Sequence, residues 1–156
     1  MKILVLVRHA KSSWNIEGLD DIDRHLNHRG YMDAHEMAER TGREIKHPYI
    51  ISSPATRALS TALIFARRFN IDPSRVLLEK SLYESSVEEY LGVIRAQKSE
   101  HSTIMIFGHN PVISGVFDRF TGSSSTDMPT CAVAIIQFNI VHWKDAARER
   151  SEEHTS

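Results

Sequence analysis

Short apolar runs alternate with amphipathic segments along most of this chain, and that alternation constrains the fold more than any other feature. The runs are rich in β-branched residues, as in strands covered on both faces, and they lie at 3–7, 49–51, 75–78, 103–107 and 132–138. Between them, apolar residues recur every three or four positions, which predicts helices at 30–46, after Pro54, around 87–94 and after Pro111. We therefore expect an α/β fold, a three-layer sandwich in which a mainly parallel central sheet carries helices on both faces.

Length and composition favour a single ordinary globular domain. The chain has 156 residues, of which 41% are hydrophobic and 25% charged, as is usual for folded proteins. The formal net charge of −1 provides no basic field that would attract nucleic acid. No apolar run approaches the roughly 20 residues that span a bilayer, so no membrane association is expected. We place the domain at residues 1–143 and a polar C-terminal tail at 144–156.

Two features predict a cytoplasmic location. The first apolar run, Ile3–Val7, is too short for the core of a signal peptide, and no small-residue cleavage site follows it. Cys131 is the only cysteine, so an intramolecular disulfide cannot form, in keeping with a reducing compartment.

Three polar segments follow three of the predicted strands. They are Arg8-His9, the run Ser53-Pro54-Ala55-Thr56-Arg57, and Gly108-His109-Asn110-Pro111. Each lies at the carboxyl end of its strand, which is the edge where open α/β sheets build their ligand crevices. Taken singly, each segment is most often structural: an Arg-His pair is common, Ser-Pro caps helices, and Gly-His-Asn-Pro makes a turn. Their joint placement predicts that two arginines and two histidines meet in one site.

The position of Arg57 points to an anionic ligand. With Ser53 as the helix cap and Pro54 at the first helical position, Arg57 falls in the first helical turn, where the macrodipole disfavours a cation. An anion bound nearby would make the net electrostatic energy of the Arg57 cation favourable at this position. Arg8 and Arg57 can both offer forked hydrogen bonds to phosphate oxygens, and the predicted helix starts near Ser53 and Asn110 offer free backbone N–H groups.

An imidazole in such a pocket can attack phosphorus, because its neutral form carries a free lone pair near pH 7. His9 is the candidate nucleophile. The surrounding cations would stabilise charge on the transferred phosphoryl group, so this chemistry requires no metal. His25, His28 and His35 lack the spacing of a zinc site, and no nucleotide-binding fingerprint occurs, so no metal or other cofactor is expected.

At these residues the sequence resembles the histidine phosphatase superfamily, which has the phosphoglycerate-mutase-like fold. Residues 6–15, 52–58 and 108–111 look like its three motifs, in the family's order. The resemblance implies that His9 is the nucleophile and that Arg8, Arg57 and His109 bind the phosphoryl group. Asn15 stands where mutase-type members carry a phosphate-contacting asparagine.

Within the superfamily, the chain is most similar to the small SixA-type phosphohistidine phosphatases. The segments 8–12 and 23–30 and the run Leu82-Tyr83-Glu84 look like that branch, although His25 replaces its usual proline. Ser12, which ends the first segment, is counted with Asn15 as a substrate contact. In larger relatives a glutamate near position 84 donates a proton, and Glu84 is either that donor or a solvated acid. His109 either shares the proton transfer or acts as a cationic phosphate clamp.

The spacing of the second half of the chain predicts an uncapped pocket. Glu84 and His109 are only 25 positions apart, and one helix and one strand fill that interval. The insertions that roof the pocket in larger members have no room, so we expect no cap domain. An open pocket suits a phosphorylated side chain on another protein, although it also admits small phosphate esters.

Three hypotheses follow for the function. The first is a phosphatase that forms a covalent phosphohistidine intermediate and hydrolyses phosphohistidine on a protein of a phosphorelay. The second is a phosphatase of small phosphomonoesters that uses the same site. The third, from another class, is a non-catalytic phosphate-binding module. The oligomeric state is not predicted.

Overall fold

The computed structural model describes residues 1–14 and 17–147 and the backbone of 152–155. Six strands form one sheet in the order β3-β2-β4-β1-β5-β6. The strands are β1 (Lys2–Arg8), β2 (Tyr49–Ser52), β3 (Leu77–Leu78), β4 (Thr103–Gly108), β5 (Val133–Phe138) and β6 (Glu152–Thr155). The helices are α1 (His28–Glu44), α2 (Thr56–Arg68), α3 (Val87–Arg95) and α4 (Val112–Thr121). Short 3-10 turns lie at Asp21–Asp23, Pro73–Arg75, Lys80–Leu82 and Trp143–Asp145.

The three-layer α/β sandwich predicted from the alternating pattern is confirmed. Strands β1 to β4 are mutually parallel, whereas β5 runs antiparallel to β1 and β6 antiparallel to β5. Alternate residues of β1 enter different cores: Leu4 and Leu6 pack in one cluster, Val5 and Val7 in the other. Helices α3 and α4 contribute to the first cluster, α1 and α2 to the second, so the sheet is covered on both faces.

Two predicted helix caps are wrong. Helix α2 begins at Thr56, with Ala55 as its N-cap residue and no side-chain cap, so neither Ser53 nor Pro54 belongs to it. Helix α4 likewise begins at Val112 without a side-chain cap. The side chains of Ser53 and Asn110 instead form tertiary hydrogen bonds, Ser53 Oγ with His109 and Asn110 Nδ2 with Asp127. Each also makes one local bond that is not a helix cap: Ser53 Oγ accepts from the Ala55 N–H at 3.2 Å, and Asn110 Oδ1 accepts from the Ser114 hydroxyl at 2.6 Å.

Residues near the C-terminus pack into the core or pair with the sheet. Trp143 and Ala146 are buried in the cluster formed with α3 and α4, and β6 extends the sheet beside β5. Part of the predicted tail, residues 148–151 and 156, lies outside the described residues. No helix in the described part of the chain is long and apolar enough to cross a bilayer.

The register of the parallel strands brings the three polar segments together. Arg8 lies opposite Gly108 in the β1–β4 pairing, and Ser52 lies opposite Phe107 in the β2–β4 pairing. The residues that follow each strand therefore leave the sheet side by side at its carboxyl edge.

The described residues between β1 and α1, 9–14 and 17–27, fold back on one another. The backbone N–H of Ser13 donates to the His25 carbonyl at 3.1 Å, and that of Asn27 donates to the Lys11 carbonyl at 3.0 Å. Gly30 at the start of α1 permits this arrangement, because a Cβ there would lie 2.0 Å from the Lys11 carbonyl oxygen. These described residues thus form a loop wall beside the carboxyl edge of the sheet.

Candidate active site

His9 and His109 face each other at the carboxyl edge of the sheet. Their ring centroids are 5.2 Å apart, with the ring planes inclined at 53°. Both histidines directly follow neighbouring parallel strands, and the His9 N–H donates to the Gly108 carbonyl at 3.1 Å. Arg8 and Arg57 line the same cavity. The predicted meeting of two arginines and two histidines is therefore present in the structure.

The hydrogen bonding of His9 defines its neutral tautomer. Nδ1 lies 2.7 Å from the Ala10 carbonyl oxygen, which can only accept, so Nδ1 carries the proton and Nε2 the lone pair. The side chain is buried, with 8% of the residue exposed. The pKa of His9 is lowered to about 4, mainly by burial; the Ala10 bond opposes this effect, and the cations of Arg57, Arg8 and Arg24 add to it. His9 is therefore neutral at pH 7, with an unprotonated ring nitrogen.

His109 is held on the opposite side by a serine that follows β2. Its Nε2 lies 2.8 Å from Ser53 Oγ, and its backbone N–H donates to the Tyr90 hydroxyl at 3.2 Å. The pKa of His109 is lowered to about 3, mainly by burial and to a lesser extent by His9 and Arg57. The ring is thus neutral at pH 7 in the substrate-free protein, a point the sequence left open.

Arg8 and Arg57 are anchored by backbone carbonyls. Arg8 donates from one terminal nitrogen to the Met128 carbonyl at 2.8 Å. Arg57, only 6% exposed, donates to the Asp21 carbonyl at 2.7 Å and to the Asp21 carboxylate at 3.1 Å. As predicted, Arg57 occupies the first turn of its helix. Burial lowers the pKa of the Arg8 guanidinium, and the Asp127 carboxylate partly offsets that effect.

Unpaired donors surround the two histidines. Among the described residues, four buried side-chain nitrogen or oxygen atoms lack a hydrogen-bond partner, and three of them are Arg8 Nε, Arg57 Nε and His109 Nδ1. Buried polar groups in folded proteins are almost always paired, so a cluster of orphaned atoms requires an explanation. A bound oxyanion with several acceptor oxygens would supply the missing partner for the arginine donors.

Asp21 and Arg24 belong to the site, although sequence reasoning assigned them no role there. Asp21 borders the pocket, and its carboxylate accepts from Arg24 Nε at 2.9 Å and from the Tyr83 hydroxyl at 2.6 Å. The Tyr83 bond, with smaller contributions from Arg24 and Arg57, holds the pKa of Asp21 well below its usual range. No spacing or period in the loop signals these contacts, which exist only in the folded chain.

Arg24 contributes a further cation to the cavity of His9. Its terminal nitrogen donates to Ser12 Oγ at 2.8 Å and to the Ser13 carbonyl at 3.1 Å. Its guanidinium also lies 4.3 Å from the centroid of the Trp14 ring, which is itself 75% exposed. These contacts fix a buried positive charge on the loop wall of the site.

The remaining predicted site residues have different positions. Ser12 lines the cavity of His9 and pairs with Leu26 in an isolated bridge. Glu84 is exposed, has a left-handed backbone with φ of 48°, and lines an adjoining cavity rather than that of His9. Asn15 lies outside the described residues. In the part of the chain that the structure describes, no three His, Cys, Asp or Glu side chains are grouped to hold a metal ion.

Tyr90 and Thr61 hold the histidine segments in place. The buried Tyr90 hydroxyl donates to the Leu82 carbonyl at 2.7 Å while it accepts from the His109 N–H. Gly108 allows this approach, because a Cβ there would lie 2.4 Å from the Tyr90 hydroxyl oxygen. On the other side, the Ala10 N–H donates to Thr61 Oγ1 at 3.0 Å, which ties the His9 segment to α2.

The lowered histidine pKa values predict that stability decreases with acidification. In the unfolded chain His9 takes up a proton near pH 6.5, whereas in the folded chain it resists protonation down to about pH 4. The unfolded state therefore binds more protons in this window, and the free energy of unfolding falls as pH drops from 7 to 4.5. The full effect of one such histidine is about 3 kcal/mol.

Urea denaturation at a series of pH values measures this slope. His109→Gln should flatten it between pH 7 and 4.5, while His35→Gln, an exposed position on α1, should leave it unchanged. If His109→Gln and wild type showed the same slope, the lowered pKa assigned to His109 would be wrong.

Comparison with known proteins agrees with this geometry. Residues 4–97 match the histidine phosphatase superfamily (branch 1), and the chain belongs to that superfamily. A solved structure described as a putative phosphohistidine phosphatase SixA from Agrobacterium tumefaciens is 31% identical, with a TM-score of 0.79 over 86% of this chain and 90% of that one. The protein histidine phosphatase SixA solved with tungstate has a TM-score of 0.82 over 97% of this chain and 94% of that one at 17% identity, which shows a shared fold.

A curated relative has a different described activity. The 2,3-bisphosphoglycerate-dependent phosphoglycerate mutase of Thermoplasma acidophilum is 39% identical over 114 residues, which cover 70% of this chain and 52% of that protein. The chain thus spans about half the length of the first curated relatives that it matches.

Proposed function

We propose that this protein is a phosphatase that hydrolyses phosphohistidine on a protein of a phosphorelay, with His9 as the nucleophile. The observation that carries the proposal is the set of unpaired buried nitrogens of Arg8, Arg57 and His109 around a neutral His9. A phosphoryl group would supply acceptors for both arginines and place its phosphorus beside an imidazole lone pair. Ser12 and Asn15 are further proposed substrate contacts.

In the first step, the lone pair on His9 Nε2 forms a bond to phosphorus. The bond from phosphorus to the substrate imidazole breaks, and its electron pair stays on that imidazole nitrogen, which takes up a proton from solvent. The Ala10 carbonyl keeps the proton of His9 on Nδ1 and so presents Nε2 as the nucleophile. Arg8, Arg57 and Arg24 neutralise charge on the equatorial phosphoryl oxygens.

In the second step, water attacks the phosphorus of phosphorylated His9. The N–P bond breaks, its electrons return to Nε2, and orthophosphate leaves with the water oxygen. The negative charge of a bound phosphoryl group favours the protonated form of a neighbouring imidazole, so His109 becomes a better hydrogen-bond donor when the site is filled. Glu84, in the adjoining cavity, is the proposed proton donor for leaving groups that need one.

Two observations support a protein substrate. The similar structure from Agrobacterium is described as a putative phosphohistidine phosphatase. Only helix α3 and strand β4 lie between Glu84 and His109, so no insertion roofs the site from that interval. A second candidate, a phosphatase of small phosphomonoesters, is favoured by curated relatives named as a mutase and as a metal-independent phosphoserine phosphatase.

Steady-state kinetics separate the two candidates. We expect kcat/KM for a phosphohistidine-bearing phosphotransfer domain to exceed that for phosphoserine and 3-phosphoglycerate by at least about tenfold. A higher kcat/KM for either ester would contradict the protein substrate and favour the second candidate. Tight phosphate binding without turnover of any phosphodonor would instead support a non-catalytic module. The cytoplasmic location expected from the single cysteine remains a prediction.

A further inference from the structure

Two cavities of opposite charge meet at the candidate active site. The cavity of His9 is lined by four cationic side chains, which are Arg8, Lys11, Arg24 and Arg57. The adjoining cavity is lined by the carboxylates of Asp21 and Glu84, and Arg57 is the only Lys or Arg among its described lining residues. Arg57, His109 and Asn110 line both cavities and form the boundary between them.

In an in-line phosphoryl transfer, the two cavities would hold different parts of the substrate. The attacking and leaving atoms lie on opposite sides of phosphorus, so a leaving group departs on the side away from His9. His9 lines the cationic cavity and is not among the described lining residues of the acidic one. A phosphoryl group held by the cations beside His9 therefore directs its leaving group past His109 and into the acidic cavity.

We infer that Asp21 and Glu84 are specificity-determining residues that select neutral or cationic leaving groups and reject anionic ones. This inference rests on the proposed function and names the substrate class within it: phosphoramidates and esters whose leaving group carries no negative charge. A leaving imidazole gains a proton and departs neutral or cationic, which suits a cavity with two carboxylates. A leaving phosphoglycerate fragment carries a carboxylate and meets like charge.

The two carboxylates differ in what else they do. Asp21 also binds Arg57, Arg24 and Tyr83, so its replacement would disturb the phosphate-binding arginines as well as the charge of the cavity. Glu84 is exposed and lines the same cavity, next to Tyr83 in the chain. Glu84→Gln and Glu84→Lys therefore change the cavity charge while those arginine contacts stay in place.

Three phosphoramidates of imidazole compounds, whose leaving groups differ in charge, test the inference. Phosphohistamine has a cationic leaving group, phosphoimidazole a neutral one, and phosphorylated imidazole-4-acetate an anionic one. For wild type we expect kcat/KM to fall in that order, with about a fivefold difference for each unit of charge at low salt. Glu84→Gln should reduce the differences in kcat/KM among the three substrates, and Glu84→Lys should abolish or invert them. Glu100→Gln, an exposed position at the amino end of β4, should retain the wild-type order.

A matched ester series separates failure of the inference from failure of the proposed function. Phosphocholine, ethyl phosphate and phosphoglycolate carry the same three leaving-group charges on phosphate esters. If kcat/KM in either series did not depend on leaving-group charge, the inference alone would be overturned. The same holds if Glu84→Lys ranked the three substrates by kcat/KM in the same order as wild type. Turnover of esters but not phosphoramidates would overturn the proposed phosphohistidine activity, while the ester order would still decide the charge rule. No turnover in either series, with turnover of the phosphohistidine-bearing phosphotransfer domain retained, would overturn the inference alone, because leaving groups of every charge would then be rejected. No turnover of that domain either would overturn both.

Discussion

His9→Ala should lose the phosphorylated enzyme intermediate and reduce kcat/KM by about 10⁴-fold or more, because it removes the proposed nucleophile. The measurement is intact mass after incubation with a small phosphodonor and quenching at high pH. Wild type should show a phosphate-sized increment that is stable to base and labile to acid, as expected for phosphohistidine. His9→Ala should show none.

Two further histidine variants make this result specific. His35→Ala, at an exposed position on α1, should be phosphorylated like wild type. His109→Ala should slow turnover yet still accept the phosphoryl group, because His9 retains its Ala10 hydrogen bond. An increment that persisted in His9→Ala but vanished in His109→Ala would assign the nucleophile to His109. Turnover without an increment in any variant would indicate direct attack by water.

The meeting of the three motifs could be predicted from sequence because parallel strands impose it. Once 3–7, 49–51 and 103–107 are recognised as parallel strands, the residues that follow them must share one edge of the sheet. The observed pairings of Arg8 with Gly108 and of Ser52 with Phe107 express this rule. The sequence pattern was sufficient here, because the proximity of the three segments depends on where the strands end and not on side-chain conformations.

The loop wall could not be predicted, because its contacts are tertiary. Asp21 and Arg24 lie in a stretch without helical or strand period. The Asp21 partners Arg57 and Tyr83 are distant in the chain, and Arg24 reaches back to Ser12 and Ser13. For Ser53 the local pattern was misleading. The sequence favours a helix cap, whereas the hydroxyl forms a tertiary hydrogen bond with His109. The neutral state of His109 was also beyond sequence reasoning, because burial in the folded site lowers its pKa.

Arg57→Met should separate activity from stability. We expect kcat/KM to fall about 10³-fold, because a buried guanidinium that can bind two equatorial phosphoryl oxygens is lost. Arg57→Lys should recover only part of this loss, since a lysine cannot make the forked contact. The free energy of unfolding should stay unchanged or rise by up to about 2 kcal/mol, because a buried cation in the first turn of α2 becomes apolar.

Arg57→Met is expected to lower activity without lowering stability because of the contacts around Asp21. When Arg57 is removed, the half-exposed Asp21 carboxylate keeps its bonds from Arg24 and Tyr83, so no buried charge is left unpaired. Arg68→Met, on the same helix and paired with surface residue Glu39, is the matched control and should leave kcat/KM unchanged. Urea denaturation and phosphodonor kinetics on the same preparations measure both quantities. If Arg57→Met lost several kcal/mol of stability and little activity, Arg57 would be a structural residue, and an anionic ligand would no longer be needed to explain a buried arginine at the start of α2.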